Sequence, residues 1–159
     1  MNRAAEIRLL AATDVKDFRK MLSMFGRAFE NAEGYESKQP DDAYLTRLLA
    51  SDAFVALVAT DGPQVVGGIA GYVLPKFEQA RSELFVYDLA VDESYRRQGI
   101  ATAMINRLRS YATERGIGGI FVPADCEDEP AVALYSTFSE PEEVLHFDLS
   151  PGSPPTAAR

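Results

Sequence analysis

The chain has 159 residues with 24 acidic and 16 basic side chains, a net charge of −8, and one cysteine and one histidine. That length fits one domain with a real core, and no apolar run approaches membrane-span length; a lone cysteine leaves no internal disulfide, and one cysteine with one histidine cannot build the usual zinc cages, so no metal site is expected. The acidic excess is local, because residues 1–115 hold 16 acids and 15 bases whereas residues 116–158 hold eight acids and no Lys or Arg; this disfavours nucleic-acid binding and suits either a solvated acidic surface or a funnel for a cationic partner.

In chain order, charges at Arg3, Glu6 and Arg8 interrupt the N-terminus, so no secretory leader is expected and a cytoplasmic location is. Ile7–Leu10 reads as a short strand. Thr13 or Asp14 is placed to cap a helix whose apolar positions Val15, Phe18, Met21, Leu22, Phe25 and Phe29 recur at three and four. Asn31–Pro40 is a polar connector containing Gly34 and Tyr35. Asp41 then caps a second helix, Asp42–Ala50. Strands are predicted at Ala53–Thr60 and Val65–Leu74, joined by the turn Asp61-Gly62-Pro63-Gln64. Gly67, Gly68 and Gly71 in the second of these point to a bulge or to close packing of another backbone.

The most informative stretch follows. Leu84–Val91 is an apolar run with Asp88 as its one charge, which suits a central strand buried on both faces. After a polar turn, Asp92–Tyr95, Arg96-Arg97-Gln98-Gly99-Ile100-Ala101 opens a helix that runs to about Arg115 and is closed by Gly116. A strand running into a glycine-bearing turn at a helix start is the arrangement that cradles a phosphate, since the first-turn amides lack intrahelical partners and the helix dipole is positive there. A further strand, Gly119–Ala124, a short helix, Glu129–Phe138, and a last strand, Val144–Leu149, complete the domain. Ser150–Arg159 reads as a frayed, proline-rich tail. The order β-α-α-β-β-β-α-β-α-β predicts a mixed α/β sheet with helices on both faces.

This order, with Arg96-x-x-Gly99-x-Ala101 and Asp128-x-x-Ala131-x-x-x-Tyr135, resembles the GNAT (Gcn5-related N-acetyltransferase) superfamily over roughly residues 7–149. The strings YDLAV, RRQGIATA, DEPAVALY and EEVLHFDL are similar to those of the type I aminoglycoside 3-N-acetyltransferases, most closely over residues 87–149. Ser139 and Pro123 depart from the family pattern without removing a chemical group. The resemblance implies a GNAT fold: one mixed, mostly antiparallel twisted sheet with splayed central strands and helices on both faces. It implies acetyl-CoA as cofactor and acetyl transfer to the 3-amino group of an aminoglycoside, with a polyamine or a protein amine as the alternative acceptor. It also implies a homodimer, for which the last strand offers an edge. A non-catalytic acyl-CoA-binding module is the remaining reading; it would keep the phosphate loop and lose Asp88 or Tyr135.

By the same resemblance, the pantetheine arm lies in the splay and bonds the backbone of Leu89, Ala90 and Val91, as an added strand would. The amides of Arg97, Gln98, Gly99, Ile100, Ala101 and Thr102 hold the pyrophosphate with Arg96 beside them, and Asp128 and Ala131 complete the cofactor site. Arg96 as an ordinary surface base and Gly99 as a plain turn glycine are the bland alternatives. Asp88 carries a desolvation cost inside an apolar strand, so it needs a partner or a task. Either it makes a salt bridge or a turn hydrogen bond, or it faces the incoming amine as orienter and proton acceptor. Tyr135 is either a core aromatic or the general acid for the leaving thiolate. The acids Asp125, Glu127, Asp128, Glu142 and Glu143, with Glu83 as an outside candidate, are expected to bind substrate ammonium groups. Cys126 has no basic neighbour in sequence to lower its pKa and reads as a small semi-buried residue. His146 reads as a packing residue.

Overall fold

The computed structural model describes residues 4–152. Five strands form one sheet in the order β1 (Glu6–Leu9), β2 (Phe54–Asp61), β3 (Gln64–Pro75), β4 (Ser82–Val91) and β5 (Ile120–Phe121). The first four pair antiparallel and β5 lies parallel to β4. Helices α1 (Val15–Ala28), α2 (Ala32–Tyr35) and α3 (Asp42–Ala50) precede β2, α4 (Ile100–Glu114) follows β4, and α5 (Glu129–Ser136) comes last. Among the described residues no helix is long and apolar enough to cross a membrane.

The strand alternation sorts side chains into two cores. Phe54, Ala56 and Val58 of β2 join Phe18, Met21, Phe25 and Leu45 beneath α1 and α3. Their neighbours Val55, Leu57 and Ala59 join Ile69, Leu84, Met104 and Leu108 beneath α4. The glycines of β3 let the two layers come close. A Cβ on Gly68 would stand 2.6 Å from Met21 of α1, and one on Gly67 would stand 3.1 Å from Met104 of α4. Asp41 caps α3, its side chain accepting from Tyr44 N at 2.8 Å, as the sequence predicts. Asp14 is the N-cap residue of α1, as expected, but its side chain makes no capping bond; its carboxylate accepts from Ala11 N and pairs with Arg8.

Several expectations need correction. The connector 31–40 contains the one-turn helix α2. The helix predicted from Arg96 begins at Ile100, because Arg97 and Gly99 take left-handed conformations that a helix cannot include. Strand β4 is buried mainly on its α4 face; Tyr87 on the other is 63% exposed. Strand β5 stops at Phe121, two residues before Pro123, and α5 stops at Ser136. Val144–Leu149 forms no strand: alternation marks a strand only where a partner edge exists, and the segment runs with Leu145 84% and Leu149 89% exposed. His146, expected in packing, is exposed and lies 3.4 Å from Asp148. Cys126, expected semi-buried, is exposed. Ser150–Gly152 are irregular, and the rest of the expected tail lies outside the described residues.

Candidate active site

The site is built on a fork in the sheet. Strands β4 and β5 pair only at Leu84↔Ile120 and Phe85↔Phe121, with Leu84 N donating to Gly119 O at 2.9 Å. Beyond Phe85, β4 runs on to Val91, and among the described residues no strand pairs with that edge. The sequence expectation of a splay between these strands therefore corresponds to a real parting.

On its other side β4 carries a bulge. Ala70 pairs with Asp88 but the next residue, Gly71, pairs with Val86, so Tyr87 is an extra residue in the ladder. Leu84, Val86, Leu89 and Val91 all pack toward α4, whereas Ala90 packs toward α1. Strict alternation from Leu84 and Val86 would have put Asp88 on the α4 face as well. The extra residue instead sends Tyr87 and Asp88 to the same face, the one covered by α1 and α2.

There the Asp88 carboxylate is half-buried. Tyr35 Oη of α2 donates to its Oδ2 at 2.8 Å. Burial raises the Asp88 pKa above the ordinary carboxylate value, and the Tyr35 hydrogen bond pulls it partly back. Asp88 makes no ion pair among the described residues. Aromatic rings surround it instead. The Tyr72 and Tyr87 rings meet edge-on with centroids 5.8 Å apart. Burial raises the Tyr72 pKa, with Tyr44, Tyr87 and Asp88 adding to the effect. Burial and the Asp88 bond raise that of Tyr35 further still. Tyr35 is the site residue that sequence reading missed: it sits in a polar connector, 53 positions from its partner, and no local pattern links the two.

The second part is the loop at the start of α4. Gly99 is the N-cap of α4 at φ +79°, and it supplies no capping side chain. The first turn holds no acid to occupy its amides. The N–H groups of Ile100, Ala101 and Thr102 are thus offered to an outside anion, with the helix dipole behind them. Arg97 enters the left-handed region at φ +63°, unusual for a side-chain-bearing residue. Arg96 is anchored, its Nε donating to Val91 O at 3.1 Å, and Gln98 donates toward Ser94 O at 3.4 Å. A cleft lined by Arg27, Phe29, Glu30, Asp92, Glu93 and Arg96 opens beside this loop. The donor set matches a pyrophosphate, and the edge of β4 at Leu89–Val91, which no strand covers although Val91 O accepts from Arg96, matches an extended amide chain, so these residues fit acetyl-CoA.

Tyr135 lies on α5, partly buried, and its pKa is pushed up to about 12 by burial, with Asp128 adding to the effect. It therefore keeps its proton throughout the neutral range. Asp128 is the N-cap of α5, its Oδ1 accepting from Ala131 N at 3.2 Å. Asp125 and Glu127 are exposed in the turn before α5, and Glu142 and Glu143 are exposed in the extended segment after it. Glu83 is engaged otherwise: its carboxylate pairs with Lys76 at 3.5 Å and Arg81 at 3.2 Å. It also lies five residues along β4 from Asp88, roughly 15 Å away.

Comparison with known proteins adds independent findings. The model of the acetyltransferase (GNAT) family matches residues 18–138. N-acetyltransferase 8B of Rattus norvegicus is 30% identical over 106 residues, which are 65% of this chain and 48% of that protein. L-2,4-diaminobutyric acid acetyltransferase of Methylotuvimicrobium alcaliphilum is 32% identical over 98 residues, 60% of this chain and 55% of its own. The chain thus spans about half the length of the curated relatives it matches. Among solved structures, an aminoglycoside acetyltransferase from an uncultured soil metagenomic sample is 47% identical, with a TM-score of 0.91 over 94% of this chain and 100% of that one. A second metagenomic aminoglycoside acetyltransferase, in complex with sisomicin, is 31% identical, with a TM-score of 0.85 over 93% and 97% of the two chains.

Proposed function

The chain belongs to the acetyltransferase (GNAT) family, whose members use acetyl-CoA, and from that premise we propose that it acetylates an amine of an aminoglycoside, at the 3-amino position, and so confers resistance. The observation that carries the reading is Asp88: a half-buried carboxylate with no cationic partner among the described residues, ringed by tyrosines and set beside the parting of β4 and β5. Such a group is costly unless something positive comes to it. An aminoglycoside brings several ammonium groups, and the faces of the Tyr72 and Tyr87 rings add to the attraction. The solved neighbours at 47% and 31% identity, both aminoglycoside acetyltransferases, support the same substrate class.

Acetyl-CoA, when bound, supplies the activated acyl group. The amides of Arg97–Thr102, with Arg96, hold its pyrophosphate; the backbone of Leu89, Ala90 and Val91 holds its amide arm, and Asp128 and Ala131 shape the far wall. Asp88 accepts a proton from the acceptor's ammonium group, directly or through one water, and frees the nitrogen for attack. The several charges on the substrate make that proton easier to lose. Tyr135 Oη holds the proton that neutralises the departing thiolate. Attack is direct: Cys126 is exposed and, among the described residues, has no hydrogen-bonded base beside it, and orientation of two bound reactants supplies much of the rate. Asp125, Glu127, Asp128, Glu142 and Glu143 bind the remaining ammonium groups. A second copy of the chain covers the exposed apolar segment 144–149, giving a homodimer, and the enzyme works in the cytoplasm.

A small diamine is the second reading, favoured by the 32%-identical relative named for 2,4-diaminobutyric acid. A CoA-release assay over gentamicin, kanamycin, 2,4-diaminobutyrate, spermidine and a lysine peptide, with NMR mapping of products, separates the two. Turnover of gentamicin with acetyl on the 3-amino group is expected. Turnover confined to 2,4-diaminobutyrate, spermidine or the peptide would end the aminoglycoside reading.

A further inference from the structure

Helix α2 is four residues long, and an isolated helix of that length has no stability of its own. Yet several contacts converge to hold it. Asn31 N donates to Gly26 O at 2.9 Å, the Asn31 side chain accepts from Gly34 N at 2.9 Å, and Gln39 Nε2 donates to Tyr35 O at 3.0 Å. The Tyr35 ring is clamped edge-on by Phe25, centroids 5.9 Å apart, and against Phe29 at 5.6 Å. What the clamp delivers is one hydroxyl, pointed at one oxygen of Asp88.

We propose that Tyr35 is the positioning residue for Asp88: by donating to Oδ2 it fixes the rotation of the carboxylate and leaves Oδ1 as the oxygen that meets the acceptor amine. This rests on the reading of Asp88 as proton acceptor. Among the described residues Oδ1 has no hydrogen-bond partner, so the division of labour between the two oxygens is already set. A hydrogen bond to a carboxylate is charge-assisted and favours its ionised form, which opposes the effect of burial. Tyr35 itself keeps its proton, so it acts as a donor and not as a base. The titratable groups facing Asp88 are Tyr35 from α2, Tyr72 from β3 and Tyr87 from β4, with Tyr44 of α3 beyond Tyr72. From α1, Arg27 is taken by Asp92 at 3.4 Å. Among the described residues Tyr35 is thus the one hydrogen-bond donor to the group.

Tyr35→Phe keeps the ring and its clamp and removes only the hydroxyl. Losing a bond that favours the ionised form raises the carboxyl pKa, so the ionised fraction falls on the acid side. The Asp88 carboxyl, followed by 13C NMR in the full chain, is expected to titrate about half to one unit higher in the variant. The acid limb of kcat/KM for sisomicin should move up equally, a loss that approaches about three- to tenfold on the acid side of the Asp88 titration and vanishes on its alkaline side. KM for acetyl-CoA should hold, and in an Asp88→Asn background the second substitution should cost nothing more. An unmoved Asp88 titration, or a loss equal at every pH and undiminished in the Asp88→Asn background, would overturn the assignment and leave Tyr35 a packing residue. If no aminoglycoside is acetylated, the substrate reading fails, while the NMR titration still decides the role of Tyr35.

Discussion

Tyr135 and Asp88 differ in how their surroundings treat a proton, and that difference sets what each can do. The phenol is pushed up to about 12 and stays protonated at neutral pH; the carboxyl is raised by burial but still deprotonates first. The proposed base function of Asp88 therefore fades as the pH falls through its raised value, and the proposed acid function of Tyr135 persists well into the alkaline range. Tyr135→Phe is expected to lower kcat by about 10²- to 10⁴-fold. Calorimetry should show acetyl-CoA affinity unchanged, because in the proposed mechanism the hydroxyl acts only on the departing group. An unaltered kcat would return Tyr135 to the role of a core aromatic.

The junction of β4 and α4, where we propose that the cofactor binds, rests its geometry on Gly99 at φ +79°. A Cβ there would meet no neighbour, so Gly99→Ala isolates the backbone strain of about 1–2 kcal/mol. Relaxing that strain tilts the first-turn amides. Acetyl-CoA affinity should fall several-fold by calorimetry, while thermal unfolding shifts by only a few degrees. This junction was the most legible part of the chain, because its signals are local: an apolar strand, a glycine, then helical spacing. Closure of α4 was equally legible, with Gly116 N bonded to Thr113 O and Ile117 N to Ala112 O. The bulge at Tyr87 was not, since an extra residue exists only relative to the register of β3. Tyr35 was hidden for the same reason, its role being set by a contact across the fold.

For the whole molecule, the segment 144–149 poses the remaining structural question. Its alternation reads as a strand, yet Val144, Leu145, Phe147 and Leu149 stand 73–89% exposed in the single chain. Apolar surface of this kind is costly in water and is covered in most proteins. Light scattering is expected to report a dimer of about twice 17.4 kDa, and Leu145→Asp to shift it toward the monomer. A wild-type monomer at assay concentration would retire the second copy as the cover. The single superfluous residue in β4 has a consequence of another order. Because Tyr87 and Asp88 share a face, flattening the bulge with Tyr87 retained would turn Asp88 and every later residue of the strand to the opposite side, whereas deleting Tyr87 would remove the bulge and leave Asp88 facing as it does. Counting faces by simple alternation from Leu84, without allowing for the extra residue, assigns the Asp88 carboxylate to the wrong layer of the fold.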